Sequence, residues 1–328
     1  MDRHIVISTR TIFVTLLALG ASWLLWQMRA IILILFVALL IALALDPFVR
    51  FLVKKRLSRS LAVIVLYLFI IILTFTVGAA GISPLFSQLD KFLTQLPDFF
   101  DCLIKFFGFN GYFQNAEQEV AKQISGLSGT VISATLSAFS SVVFLVTVFV
   151  FAAYILVYFE TLKKQFAELF PVRRQKLIQN ILGDVETKVG SWLRGELVLM
   201  FAVGLMSLIG LLILRVDYAL PLALIAGFLE VLPNIGPVIA TIPAAAVAFS
   251  ISPITGVGVI ALFILVQQLE NNLIVPKVMQ KAVGFNPLLT MLVILTGAKL
   301  FGLLGALLAV PVTLVGITIV NGIVKMDR

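Results

Sequence analysis

Polar residues interrupt this chain in two places where a membrane-crossing helix would exclude them. The apolar stretch 219–249 is cut by Glu230-Val231-Leu232-Pro233-Asn234-Ile235-Gly236-Pro237, and the stretch 287–320 by Thr296-Gly297-Ala298-Lys299, Gly302 and Gly305. An unbroken helix needs about 20 apolar residues to cross ~30 Å of hydrocarbon. The shorter fragments here reach only about 18 Å at 1.5 Å per residue. Elsewhere the apolar runs are more regular, at 11–26, 30–45, 61–82, 131–159, 197–214 and 254–275. The pattern predicts an all-α polytopic membrane protein with about eight hydrophobic segments, two of them (219–249 and 287–320) broken or folded into re-entrant hairpins. The first two runs are short and are expected to be extended by flanking residues or to tilt little.

Loop charge orients the segments. Arg50, Lys54, Lys55, Arg56 and Arg59 follow the second run, which assigns that loop and the N-terminus to the cytoplasm. Region 83–130 is poor in positive charge and is expected outside. Region 160–196 carries Lys163, Lys164, Arg173, Arg174, Lys176, Lys188 and Arg194 and returns inside. If both broken segments cross fully, Lys277 and Lys281 fall outside. If both are hairpins, these two lysines join Lys325 and Arg328 in the cytoplasm, which the charge bias favours. The expected organisation is N-terminal spans (1–82), an extracytoplasmic amphipathic region (83–130), a span (131–159), a cytoplasmic amphipathic helical region (160–196) and a C-terminal core with broken helices (197–328).

Two stretches outside the bilayer core repeat apolar residues at helical spacing. Leu177, Ile178, Ile181, Leu182, Val185, Val189, Trp192 and Leu193 suit a helix at the inner membrane surface or against another subunit. Leu85, Phe86, Leu89, Phe92, Leu93 and Leu96, followed by a turn at 108–111, suit an outer cap or an oligomer contact.

Composition agrees with a membrane protein: 61% apolar, 12% charged, mean hydropathy +1.14. The net charge of +8 sits in short loops between apolar runs, so it orients spans and does not point to nucleic acid. The first run lacks a small-residue cleavage site and a second span follows at once, so it reads as a span and not a cleaved leader. Enzyme classes fare badly. His4 is the only histidine, which removes a buried Ser–His dyad and a paired-His zinc motif. Asp46 and Asp217 sit at span ends, away from the paired positions an intramembrane aspartyl protease needs, and there is no Gly-rich phosphate loop ending in Gly-Lys-Ser/Thr. No cofactor and no metal are expected.

Intramembrane carboxylates are costly and therefore candidates for function. Glu230 precedes the break, where Pro233 and Pro237 remove backbone donors and leave carbonyls free. These carbonyls, Glu230 and Asn234 could hold a cation, a proton or a hydroxylated solute. Gly236-Pro237 opens the next fragment with free N–H groups and a positive dipole end. The plainer alternative pairs Glu230 with Lys299 across the hairpins. Gln267, Glu270 and Asn271 share a helical face by spacing and could line a polar path, or simply end a hydrated helix. Arg194-Gly195-Glu196 precedes a span and suits either an interfacial arginine or a gate or interface. Lys299 lies deep in the second broken segment.

The run Gly227-Phe228-Leu229-Glu230-Val231-Leu232-Pro233-Asn234-Ile235-Gly236-Pro237 resembles the autoinducer-2 exporter family of PerM-like permeases. Gln267…Glu270-Asn271…Pro276, Val283-Gly284-Phe285-Asn286-Pro287 and Leu300-Phe301-Gly302…Gly305 leading to Ala309-Val310-Pro311 extend the resemblance in order. Arg194-Gly195-Glu196 resembles a family element with Gln at its third position, and Lys299 stands where the family more often has a small or apolar residue. The resemblance implies a multi-pass bacterial inner-membrane permease, expected as a homo-oligomer. It also implies export of a small signalling molecule in quorum sensing for some relatives and sodium/proton antiport for others. The expected function is export of a small polar solute, with cation/proton antiport and a non-transporting scaffold as alternatives.

Overall fold

The computed structural model describes residues 9–106, 131–233, 235–279 and 287–324. They form α1 (Thr9–Gln27), α2 (Arg29–Lys54), α3 (Arg59–Phe106), α4 (Val131–Glu168), α5 (Val172–Ile213), α6 (Ala219–Leu229), α7 (Gly236–Ile251), α8 (Pro253–Leu269), a π-helical turn (Glu270–Ile274), α9 (Val275–Val278) and α10 (Pro287–Val324). No strand occurs among them. Six helices contain stretches long and apolar enough to cross a membrane: Arg29–Lys54, Arg59–Thr76, Val143–Glu168, Val172–Ile213, Pro253–Val278 and Leu288–Val324. The chain is an all-α polytopic membrane protein.

Both broken segments turn back on themselves. α6 and α7 reach only about 16 and 24 Å, too short to cross ~30 Å of hydrocarbon alone. They meet tightly: a side chain at Gly236 would collide with the carbonyl of Leu229 and the amide of Glu230. In α10 the helix reverses at Phe301 (φ −134°, ψ 16°) and Gly302 (φ 64°, ψ −149°). Its arms then pack face to face, with Gly297 against the carbonyl of Gly305 and near Ala309. Only glycine is at ease in the conformation of Gly302. Because nothing lies within 4 Å of a side chain added there, the whole cost of a substitution is backbone strain. Gly302→Ala is expected to lose about 1–3 kcal/mol of stability. Gly316→Ala, in open space on the same helix, should be neutral or gain up to ~1 kcal/mol. Thermal unfolding of the two variants in detergent checks this.

Two elements run longer than the hydropathy breaks imply. The amphipathic stretch 177–193 and the span 197–214 are one helix, α5. Part of its apolar face is buried within the chain. Val185, Val189 and Trp192 are buried with Leu40 and Leu43 of α2 and Ile294, Ala306, Val310 and Leu314 of α10, and Ile181 packs where Gly322 makes room. Likewise α3 continues from its span into the amphipathic stretch, whose Phe92 is buried in the core formed by α5, α6, α7 and α8. The turn at 108–111, Lys281, the motif residues 283–286, Lys325 and Arg328 lie outside the described residues.

Charged residues near the start of α3 and the facing ends of α2 and α4 are cross-paired. Asp46 accepts from Arg50 and, at 2.7 Å, from Arg59. Glu186 of α5 accepts from Arg50 and, at 2.7 Å, from Lys163 of α4, and Glu160 lies 2.9 Å from Lys163. Buried Asp46 is therefore neutralised twice over, the usual condition for holding a charge out of water.

Candidate functional site

The carboxyl groups of the membrane core have no such neutralisation. Glu196 on α5, Glu230 at the end of α6 and Glu270 at the end of α8 come from three different elements, and their side chains are 3%, 0% and 5% exposed. All three lie within electrostatic reach of one another. Among the described residues, no N–H or O–H donor reaches either oxygen of Glu230 or of Glu196. Buried carboxyl groups in this setting need a counter-charge supplied from outside the chain, either a proton or a metal cation.

Local sequence explains how they meet. Antiparallel packing of α5 and α6 is allowed by Gly204 and Gly227: a side chain at Gly227 would strike the carbonyl of Met200 and the backbone of Gly204. Glu196 lies one turn from Met200 on α5, and Glu230 follows Gly227 by three residues. The helix of Glu230 ends there because the segment reaches Pro233 and Pro237 within two turns, and neither can donate to an upstream carbonyl. Glu270 begins the π-helical turn, a wider coil that often marks functional sites. That turn changes the register of the helix face: Glu270 is buried, Asn271 is exposed, and exposed Asn272 bonds instead to Gln268 at 2.9 Å. Asn271 thus points away from the face that spacing alone assigned to it.

The other predicted positions are placed as follows. Gly236 and Pro237 are buried at the break, Pro233 is half-buried, and Asn234 lies outside the described residues. Gln267 is half-buried, one turn before Glu270, and lines a cavity between α7 and α8. Arg194 is half-buried and donates to the carbonyl of Leu43 at 3.3 Å and to Ser191 at 3.2 Å, which ties α5 to α2. Lys299 is exposed near the tip of the α10 hairpin, beside Leu300 and Phe301, which are 66% and 67% exposed. The alternative pairing of Glu230 with Lys299 is absent, since neither Glu230 oxygen has a partner. A side chain at Gly195 would meet Met279 Sδ and Val278, so the end of α9 covers this turn of α5 beside Glu196.

Two cavities near the site are lined mainly by apolar groups. A cavity of about 400 Å³ is lined by Val238, Thr241, Ile242, Phe263, Gln267 and neighbouring apolar groups, and one of about 290 Å³ by Met200, Gly204, Leu208, Ala223, Gly227 and similar residues. Among the described residues no three His, Cys, Asp or Glu side chains stand close enough to cage a metal ion together.

Residues 12–325 match the model of a protein family described as AI-2E family transporter. The chain is 29% identical to YueF of Bacillus subtilis (strain 168) over 288 residues, covering 81% of this chain and 77% of that one. It is 26% identical to YhhT of Escherichia coli (strain K12) over 318 residues, covering 94% and 88%. It is 25% identical over 298 residues to a protein of Halobacillus andaensis named sodium-lithium/proton antiporter, covering 84% of each.

Proposed function

This chain belongs to the AI-2E transporter family, and we propose that it exchanges a small monovalent cation for protons across the bacterial inner membrane at Glu230, Glu270 and Glu196. The observation that carries this reading is that three buried carboxyl side chains, from three elements, lie within electrostatic reach of one another with no positively charged partner among the described residues. A proton and a sodium or lithium ion compete for the same oxygens, and that competition couples their opposite movements. Each carboxyl group binds one or the other, and a proton held on Glu230 or Glu270 is the species the cation displaces. The freed carbonyls of the break between α6 and α7 supply further oxygens for a dehydrated cation.

Export of autoinducer-2 fits this chain less well. A hydroxylated solute needs several converging donors and acceptors in a cavity that encloses it, whereas the two cavities described beside the break are lined mainly by apolar groups, with Thr241 and Gln267 the polar exceptions. The name of the Halobacillus relative describes the same exchange chemistry for that protein. In the proposed orientation both termini are cytoplasmic, the α6–α7 hairpin enters from outside and the α10 hairpin from the cytoplasm.

The test uses purified full-length chain in proteoliposomes with a trapped pH-sensitive dye. A sodium or lithium pulse is expected to move protons in the opposite direction, and labelled autoinducer-2 is expected to stay where it was placed. Passage of the signalling molecule without any cation-driven pH change would replace this reading with solute export.

A further inference from the structure

Between Leu197 and Leu214, α5 carries a single polar side chain, Ser207. A lone serine in an apolar helix can face lipid at little cost by bonding back to the carbonyl four residues earlier. Thr76, Thr147, Thr187, Thr241, Thr296 and Thr313 all do so. Ser207 does neither. It is 0% exposed, and among the described residues its Oγ has no partner. A fully desolvated hydroxyl left unbonded is unfavourable, and a helix with a free choice of alanine or leucine would not carry one for packing alone.

Its position gives the hydroxyl a role. Glu196, Leu199, Val203, Ser207, Gly210 and Leu211 form the buried stripe of α5. Ser207 lies about three turns, or ~16 Å, along that stripe from Glu196 and nearly in line with it. Between them is Gly204, packed on Gly227 and the carbonyl of Ala223, where the α5–α6 seam leads to Glu230. Beyond Ser207, at the far end of α5, Phe92 and Phe99 of α3 lie against Tyr218 with ring centroids 5.9 and 6.0 Å away. The buried stripe of α5 therefore runs from Glu196, past one orphaned hydroxyl, toward the end of the helix that Tyr218 and its aromatic neighbours cover.

We propose that Ser207 is a second ligand position on the cation's route: its hydroxyl oxygen coordinates a partly dehydrated monovalent cation as it moves along the buried stripe of α5 between the acidic cluster and the Tyr218 end. This rests on the cation-exchange reading above. A hydroxyl contributes an oxygen without charge, which suits a transient stop, because a second carboxylate there would trap the ion.

The test measures sodium dependence of proton exchange in proteoliposomes for the wild type, Ser207→Ala, Ser207→Val and Ser207→Thr. Ser207→Ala and Ser207→Val are expected to raise the apparent KM for sodium about five- to tenfold while the maximal rate stays within twofold. Ser207→Thr keeps the oxygen and is expected to retain the wild-type KM, although it matches valine in size. The pH profile at saturating sodium should not move, since the acidic cluster is untouched. Sodium KM values within twofold of wild type for both Ser207→Ala and Ser207→Val would overturn the proposal and leave cation exchange standing. Equal losses in the valine and threonine variants would also overturn it, by showing a purely steric role. A wild-type chain that exchanges no cation at all is a different result, which removes the cation reading itself.

Discussion

Replacing Glu230 by glutamine leaves the protein in the membrane and lowers cation-driven proton movement about a hundredfold or more, a barrier change of about 2.7 kcal/mol. Glutamine keeps the shape of the side chain but cannot exchange a proton for a cation. Folding should tolerate the change, because no donor contacts either Glu230 oxygen and no bond is broken. An uncharged amide is also cheaper to bury than a carboxylate that must find a counter-charge. The expected signature is therefore an unchanged or slightly raised unfolding temperature beside lost flux. Glu270→Gln should behave alike, and the double variant should be no worse than either single one, since the two carboxyl groups act on the same exchanged ion. The proteoliposome assay and a melting curve on the same preparation check both halves. Flux within tenfold of wild type in Glu230→Gln would remove Glu230 from the mechanism.

How much of this was legible beforehand depends on whether the signal was local. Both breaks were readable, since Pro233 and Pro237 deny donors over a few residues and glycines gather at 297, 302 and 305, but whether each segment crosses or reverses was left open by the sequence, with loop charge only tilting toward hairpins. The identity of Glu230 and Glu270 as buried acids was readable too, because a carboxylate inside an apolar run is conspicuous. The continuity of α5 was not. Arg194 and Glu196 look like the polar margin of a span, and only the contacts to Leu43 and Met279 show that this margin lies inside the protein. Nor could spacing bring Glu196 to Glu230, because their meeting depends on the Gly204–Gly227 approach between two helices. The outward turn of Asn271 follows from a π-helical turn, which has no strong sequence mark. Ser207 was the least legible of all. Periodicity picks out an inner face from the contrast between apolar and polar positions, and a helix apolar all round offers no contrast.

Gly236→Ala is expected to damage both stability and flux, and by a route distinct from loss of charge. Its added methyl group would meet the carbonyl of Leu229 and the amide of Glu230, which are backbone atoms and cannot swing aside as the end of a side chain can. Overpacking of this kind costs about 1–3 kcal/mol. The strain is relieved by parting α7 from the end of α6, and the first group to move is Glu230 itself. A displacement on the order of 1 Å at a reacting group can cost about a hundredfold in rate. Flux should therefore fall by at least tenfold while the unfolding temperature also drops, whereas Glu230→Gln lowers flux alone. Gly183→Ala is the matched control, because nothing lies within 4 Å of a side chain added at that helical position. It should keep full flux and gain up to ~1 kcal/mol from helix propensity. If Gly236→Ala melted and transported like Gly183→Ala, the tight junction of α6 and α7 would not be what holds Glu230 against Glu270.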